Sequence, residues 1–362
     1  MNEHIRVGLS ASLYGRFEVQ GRQALEGYLL WQSYVNSEGG IAVEGEKSRP
    51  VHLLWYDDSS QIANARNNVL RLLREDQVDI LLGPYSSVLT IAVAEIAEEY
   101  KKALWNHGGA SDEIYEHGWR YLVNTPSPAS DYLRALPQWL AATGSGLSRI
   151  AVLYSEPGTF ARQVARGVVE SAALVGQSVE LLPIRPPVFN PSSMISAILA
   201  SDPEVVVLAG RFEDEIAILG TRQHWPARVK AVAAVAAGIR PFSTALGPAA
   251  EGVLGPSQWE PDVKFPEILG PSSSWFVNSF QKQFGVVPDY VAAGSFASGV
   301  ILAECIRRAG STDDLRLRRA AADLDCHTLH GRFRIDPCTG KQVGHRVLLI
   351  RWQGGQKKIL PS

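Results

Sequence analysis

ILLGPYSSVLTIAVAEIAEEY, residues 80–100, decides how this chain is read. An apolar run ends at Gly83-Pro84, a tyrosine and two serines follow, and a helical pattern begins. Leu89, Ala92, Val93, Ile96, Ala97 and Tyr100 stand at i, i+3, i+4, i+7, i+8 and i+11, the spacing of one helix face. The stretch reads as a buried strand, a turn and an amphipathic helix, with Ser86 or Ser87 as helix cap.

The same unit recurs on both sides. The strand-like run 5–11 precedes a helix with Ala24, Tyr28, Trp31 and Val35 on one face, closed by Gly39-Gly40. Residues 51–58 precede a second helix carrying Ile62, Ala65, Val69 and Leu72, and 103–107 reads as a further strand. Continuous apolar strands alternating with amphipathic helices predict an α/β fold with parallel sheets covered on both faces. NTPSPAS at 124–130 marks a change of domain. A second series follows: strands at 149–155, 178–184, 204–210 and 229–237, with helices between them. GVLGPSQWEP at 252–261 is a further Gly/Pro-broken crossing, 272–324 reads as mostly helical, and 330–352 reads as two strands around a Thr339-Gly340 turn. Two doubly wound units, two lobes around a cleft, are expected.

The composition leaves few other classes open. The chain has 362 residues, 35 basic against 37 acidic, and no Lys/Arg-rich run, so neither nucleic acid nor an anionic membrane is indicated as a partner. No apolar run reaches the roughly 20 residues of a membrane span. Met1-Asn2-Glu3-His4 runs directly into a strand, without a signal peptide. Of the three cysteines, Cys326 and Cys338 flank a short extended segment and are a candidate pair.

Catalytic signatures are not found. P-loop, G-x-G-x-x-G, G-x-S-x-G and H-E-x-x-H patterns are missing from the sequence, and no pair of the eight histidines sits at a metal-ligand spacing within a supporting motif. Glu213-Asp214-Glu215 reads as the solvated first turn of a helix, favoured there by the helix dipole. No enzyme, metal or cofactor is expected.

In a parallel α/β sheet, ligands bind beyond the carboxyl ends of the strands. That places Tyr85, Ser86 and Ser87 on one rim with His107, Gly109, Ala110 and Ser111. Helix N-terminal N–H groups and hydroxyls there can hold a carboxylate. In the second series the same geometry selects Phe160, after 149–155, and Arg211 with Phe212, after 204–210. Phe160 is a pocket wall or the first core residue of its helix; Arg211 contacts ligand, is solvated, or pairs with a nearby Asp or Glu.

GLSASLYGRFEVQGRQALEGYLLWQSYVNSEGGI, LLGPYSSVLTIAVAEIAEEY, GGASDEIYEHGWRYLVNTPSP and the terminal GRFRIDPCTGKQVGHRVLLIRW resemble the type I periplasmic binding proteins. The branch is that of the branched-chain amino acid (leucine/isoleucine/valine)-type substrate-binding proteins of ABC transporters. The resemblance implies two lobes joined by three crossovers, residues 1–124 with 257–329 and 125–256 with 330–362, closing over a ligand. It implies an extracytoplasmic monomer that delivers a small organic solute to an ABC transporter permease, with any leader absent from this sequence. If Met1 is the native start, it implies instead a cytoplasmic ligand-sensing regulator on the same fold, like the amide-binding negative regulators. By the same resemblance Ser86, Ser87, Gly109, Ala110 and Ser111 hold the ligand carboxylate, Phe160 and Arg211 or Phe212 face it from the second lobe, and the segment Tyr14 to Gln20 contributes. Trp259, at the second crossover, lines the pocket or packs under the hinge. One departure stands out: 231–241 has no carboxylate where amino-acid binders meet the ligand ammonium, and unless Asp131, Glu213 or Asp214 substitutes, an ammonium lacks its charged partner. A carboxylate or neutral amide-like ligand is therefore at least as well matched as leucine.

Overall fold

The computed structural model describes residues 3–44, 47–156, 158–185, 191–266 and 269–361, with backbone alone for 191–193. Its chain divides into two compact units and passes between them three times. Unit 1 is Met1–Ser127 with Trp259–Arg346, and unit 2 is Pro128–Gln258 with Val347–Ser362.

The first passage through unit 1 alternates strand and helix: β1 (Ile5–Ala11), α1 (Glu18–Ser37), β2 (Val51–Asp57), α2 (Ile62–Arg74), β3 (Ile80–Leu82), α3 (Ser87–Glu99), β4 (Leu104–Asn106) and β5 (Leu122–Asn124). In unit 2 follow α4 (Ala135–Ala142), β6 (Arg149–Ser155), α5 (Thr159–Leu174), β7 (Ser178–Ile184), α6 (Pro191–Ser201), β8 (Val205–Ala209), α7 (Phe212–Leu219), β9 (Ala231–Ala234), α8 (Pro241–Leu246) and β10 (Leu254–Ser257). Back in unit 1 lie α9 (Ser273–Phe284), α10 (Tyr290–Ala309), α11 (Asp314–Asp323), β11 (Cys326–Thr328) and β12 (Gly331–Phe333). The chain ends in unit 2 with β13 (Leu348–Gln353) and β14 (Gln356–Ile359).

The unit 1 sheet has the order β2-β1-β3-β4-β5, every pair parallel. Alternate residues of its strands enter different cores. Val7, Leu9, Ile80 and Leu82 pack with α1 and α10, and Leu81, Leu104 and Leu122 pack with α2 and α3. A sheet covered on both faces leaves no polar side to its strands, hence the unbroken apolar runs. Helix α10 is apolar nearly all round because it is enclosed nearly all round, from Val291 to Ala303 without interruption. Unit 2 has a seven-stranded sheet, β14-β13-β10-β9-β8-β6-β7. Pairs from β10 to β7 are parallel, and β13 and β14 add antiparallel.

Three expectations change. The third crossing lies at 346/347, not 329/330. Residues 330–345 stay with unit 1 because β12 pairs with β11 and Gln342 and His345 are buried there, His345 Nδ1 lying 2.6 Å from Ser127 Oγ. The Thr339-Gly340 turn carries a single bridge, Ile335 to Gln342, instead of a hairpin; the terminal hairpin turns at Gly354-Gly355, both with positive φ. The strand expected over 229–237 spans only Ala231–Ala234, because Val235–Gly238 winds into a short 3-10 turn. All three cysteines are free. Cys338 is exposed in the Asp336 turn, where its N–H donates to Asp336 Oδ1 at 3.1 Å, so the candidate 326–338 pair is not formed.

Candidate functional site

The carboxyl ends of β1 to β5 form the rim of unit 1. Ser86 starts α3 with φ at 89°, a left-handed value rare outside glycine, and its Oγ accepts from Leu89 N. The following hydroxyl reaches across to the next loop. Ser87 Oγ accepts from Ala110 N at 3.2 Å and from Ser111 N at 2.9 Å. Both lone pairs are then engaged, which leaves the O–H proton as a donor. The N–H groups of the first turn of α3 lack intrahelical acceptors, and Ser86 Oγ satisfies only that of Leu89. A hydroxyl proton and helix N-terminal amides together favour an anionic or carbonyl oxygen.

The partner loop is held by a residue that the motif reading passed over. Asn106, buried at the end of β4, accepts at Oδ1 from Gly108 N and Gly109 N, and donates from Nδ2 to Gly109 O and Asn124 Oδ1 at 2.6 Å each. Close approach explains the glycines. A Cβ on Gly108 would lie 2.8 Å from Tyr85 Cα, and one on Gly109 would lie 2.6 Å from Thr90 Cβ. Its sequence signal was a polar residue ending the apolar run ALW.

At the neighbouring strand ends, Asp58 accepts from Ser10 Oγ at 2.9 Å and Ser12 Oγ at 2.6 Å. Desolvation raises this carboxyl above the usual range, against the pull of the hydroxyls. Asp57 accepts from Leu13 N and from Ser59. The two carboxylates pin the loop that carries Tyr14, which is 62% exposed, with the Arg22 guanidinium 5.6 Å from its ring centre. Gln20 lies half-buried in the first turn of α1. Tyr85 bridges to Gly108 through its backbone, meets Phe17 edge to face and shares a hydrogen bond with Tyr290; desolvation pushes its phenol up to about 12.

His107 does not present its ring to the rim. It is 6% exposed and meets Tyr28 edge-on at 5.1 Å, and burial pushes its pKa down to about 3. The imidazole is thus a neutral core group. Gly109, Ala110 and Ser111 are also buried, so they shape the rim through their backbone. Trp259 belongs to the unit 1 core, edge to face on Phe276 at 5.6 Å; of its two readings, packing is the one observed.

In unit 2, Phe160 is half-buried in the first turn of α5 and stands edge-on to Tyr132 at 5.1 Å and 90°. Tyr132 OH accepts from Gln258 Nε2 at 2.7 Å. Arg211 forms a two-point pair with Asp214, Nε to Oδ2 at 2.7 Å and Nη2 to Oδ1 at 3.1 Å, so its charge is already answered. Phe212 packs on the unit 2 core. The acidic turn is not uniformly solvated: Glu213 is exposed, whereas Asp214 and Glu215 are buried. Glu215 accepts from Gly210 N at 2.6 Å and Ala236 N at 2.7 Å, tying the ends of β8 and β9. Desolvation raises its carboxyl to about 8.

The Ser87 tie carries a prediction. Ser87→Ala leaves the Ala110 and Ser111 amides without their acceptor, a cost of about 1–3 kcal/mol. Amide hydrogen exchange is expected to accelerate at 110–111 while β1 and α10 are unchanged; unaltered exchange there would show that the hydroxyl does not hold the loop.

Two doubly wound α/β units joined by three chain crossings, each with its strand ends forming a rim, define the architecture of a type I binding protein. The family model described as "Periplasmic binding protein" matches residues 4–357, and this chain belongs to that family. A curated relative, Leu/Ile/Val-binding protein homolog 7 of Brucella abortus (strain 2308), is 20% identical over 381 residues, covering 97% of this chain and 90% of the relative. A leucine-binding protein, LivK, of Thermotoga maritima superposes with a TM-score of 0.83 at 20% identity, covering 99% of this chain and 98% of its own. An ABC transporter solute-binding protein of R. palustris, in complex with benzoate, gives 0.79 at 20% identity, covering 99% and 95%.

Proposed function

We propose that this protein is an extracytoplasmic solute-binding protein that captures a small organic carboxylate and delivers it to an ABC transporter permease. The observation that carries the reading is the Ser87 rim: a hydroxyl whose lone pairs are used and whose proton is available, beside the open amides of α3. Three carboxylates near the unit 2 strand ends are engaged, whereas Glu213 is exposed. Glu156 pairs with Arg185, Asp214 with Arg211, and both oxygens of Glu215 accept backbone N–H groups. An ammonium finds no free carboxylate among those three, and an unpaired buried charge costs several kcal/mol. Benzoate, bound by one relative of the same fold, is such a carboxylate and carries no ammonium.

The test is extraction of small molecules from freshly purified protein by mass spectrometry, followed by a thermal-shift panel of carboxylates, amides and amino acids. A co-purifying or stabilising carboxylate without an amine is expected. Stabilisation by free amino acids alone would overturn the ligand class.

A further inference from the structure

We infer that Tyr132 is the positioning residue for Phe160 and ties that side chain to two of the three chain crossings. The chain enters unit 2 at Pro128 and leaves it after Gln258. Tyr132, buried close behind the first crossing, makes contact with two distant parts of the unit. Its ring stands edge-on to Phe160, with centroids 5.1 Å apart and planes at 90°. Its hydroxyl oxygen accepts from Gln258 Nε2 at 2.7 Å. Gln258 is itself buried, so this bond lies out of water, where a hydrogen bond is electrostatically stronger.

Helix α5, which carries half-buried Phe160 in its first turn, is pressed on the same segment along its length. A Cβ on Gly167 would collide with Ser130 O and lie 2.7 Å from Ser130 C, and Arg134 Nη1 pairs with Glu170 Oε2 at 3.1 Å. Residues 160, 167 and 170 share one face of the helix, so 129–134 and α5 form one block. Aromatic pairs prefer defined geometries: the Tyr132 ring selects one orientation of Phe160, and Gln258 holds the Tyr132 ring in place. Phe160 follows the carboxyl end of β6, which has β8 on one side and β7 on the other. There the strand order of unit 2 reverses, the place where parallel α/β sheets take ligands. The consequence for binding rests on the solute-binding reading above: Tyr132 acts through Phe160 and sets how that ring meets the ligand.

Two readouts test the role. Fluorine NMR of the full-length protein with 4-fluorophenylalanine at position 160 needs no ligand. One sharp resonance is expected with Tyr132 intact. Tyr132→Leu should move and broaden it; Tyr132→Phe, which keeps the ring and loses the Gln258 bond, should move it less in the same direction. A resonance unmoved by either change would overturn the positioning role. The second readout is benzoate affinity by calorimetry. Tyr132→Leu is expected to weaken it about tenfold and Tyr132→Phe about threefold. In a Phe160→Ala background each loss should shrink to about twofold or less. Equal losses in both backgrounds would mean that Tyr132 does not act through Phe160, and would also overturn the role. If the resonance responds and the protein binds no carboxylate, the solute reading fails while the positioning of Phe160 stands.

Discussion

Glu215→Gln should remove a pH dependence of stability that the wild type shows between pH 5 and 8. In the unfolded chain this carboxyl titrates near 4.5, and in the folded chain near 8. As pH rises through that interval, the unfolded state releases a proton that the folded state keeps. Stability therefore falls with rising pH, by about 1.4 kcal/mol per unit, and levels off above the folded value. Glutamine mimics the protonated form, so the variant loses that slope. His107 works with the opposite sign. Its ring is held to about 3 against 6.5 when unfolded, so its contribution is complete above 6.5 and is lost as pH falls toward 3. His330, also pushed down by burial, acts in the same direction. The descending slope belongs to unit 2 and the ascending one to unit 1. Calorimetry from pH 5 to 8 distinguishes them, and because two units need not unfold as one, the informative quantity is the difference between variant and wild type. A wild type and a Glu215→Gln variant with parallel curves would show that the buried carboxyl titrates normally.

Gly27→Val is expected to cost about 3 kcal/mol or more, at the upper end of overpacking effects. Helices α1 and α10 approach so closely at Gly27 that a Cβ would collide with Ser295 Oγ and the Ala292 carbonyl oxygen, and would lie 3.1 Å from the Ala292 carbonyl carbon. The obstacle is main chain inside a buried helix and cannot move aside. Urea unfolding should show a lower midpoint for unit 1. An unchanged midpoint would mean that the two helices separate at little cost.

Much of the architecture was legible because strand-and-helix alternation is a local pattern. The strand, turn and helix of residues 80–100 follow from periodicity and from a serine that can cap. Tertiary partners were harder to read. Ser87 shows itself in sequence as a cap candidate, yet its hydroxyl bridges to a loop more than twenty residues on. Glu215 looked like one of three solvated acids, but its helical phase turns it under the strand ends, where the backbone amides of Gly210 and Ala236 meet it. Gly27 gave no local cue at all, since its reason is a helix from beyond the second crossing. The same holds for the third crossing: burial of Gln342 and His345 in unit 1 fixes it, and no composition change marks the spot.

Titration calorimetry of benzoate and leucine into the wild type and Ser87→Ala reaches the central claim most directly. The expected result is one site per chain for benzoate, tighter than for leucine, and weakened at least tenfold (about 1.4 kcal/mol) by the loss of the hydroxyl. A preference for leucine, no heat with either ligand, or equal affinity in both proteins would contradict it.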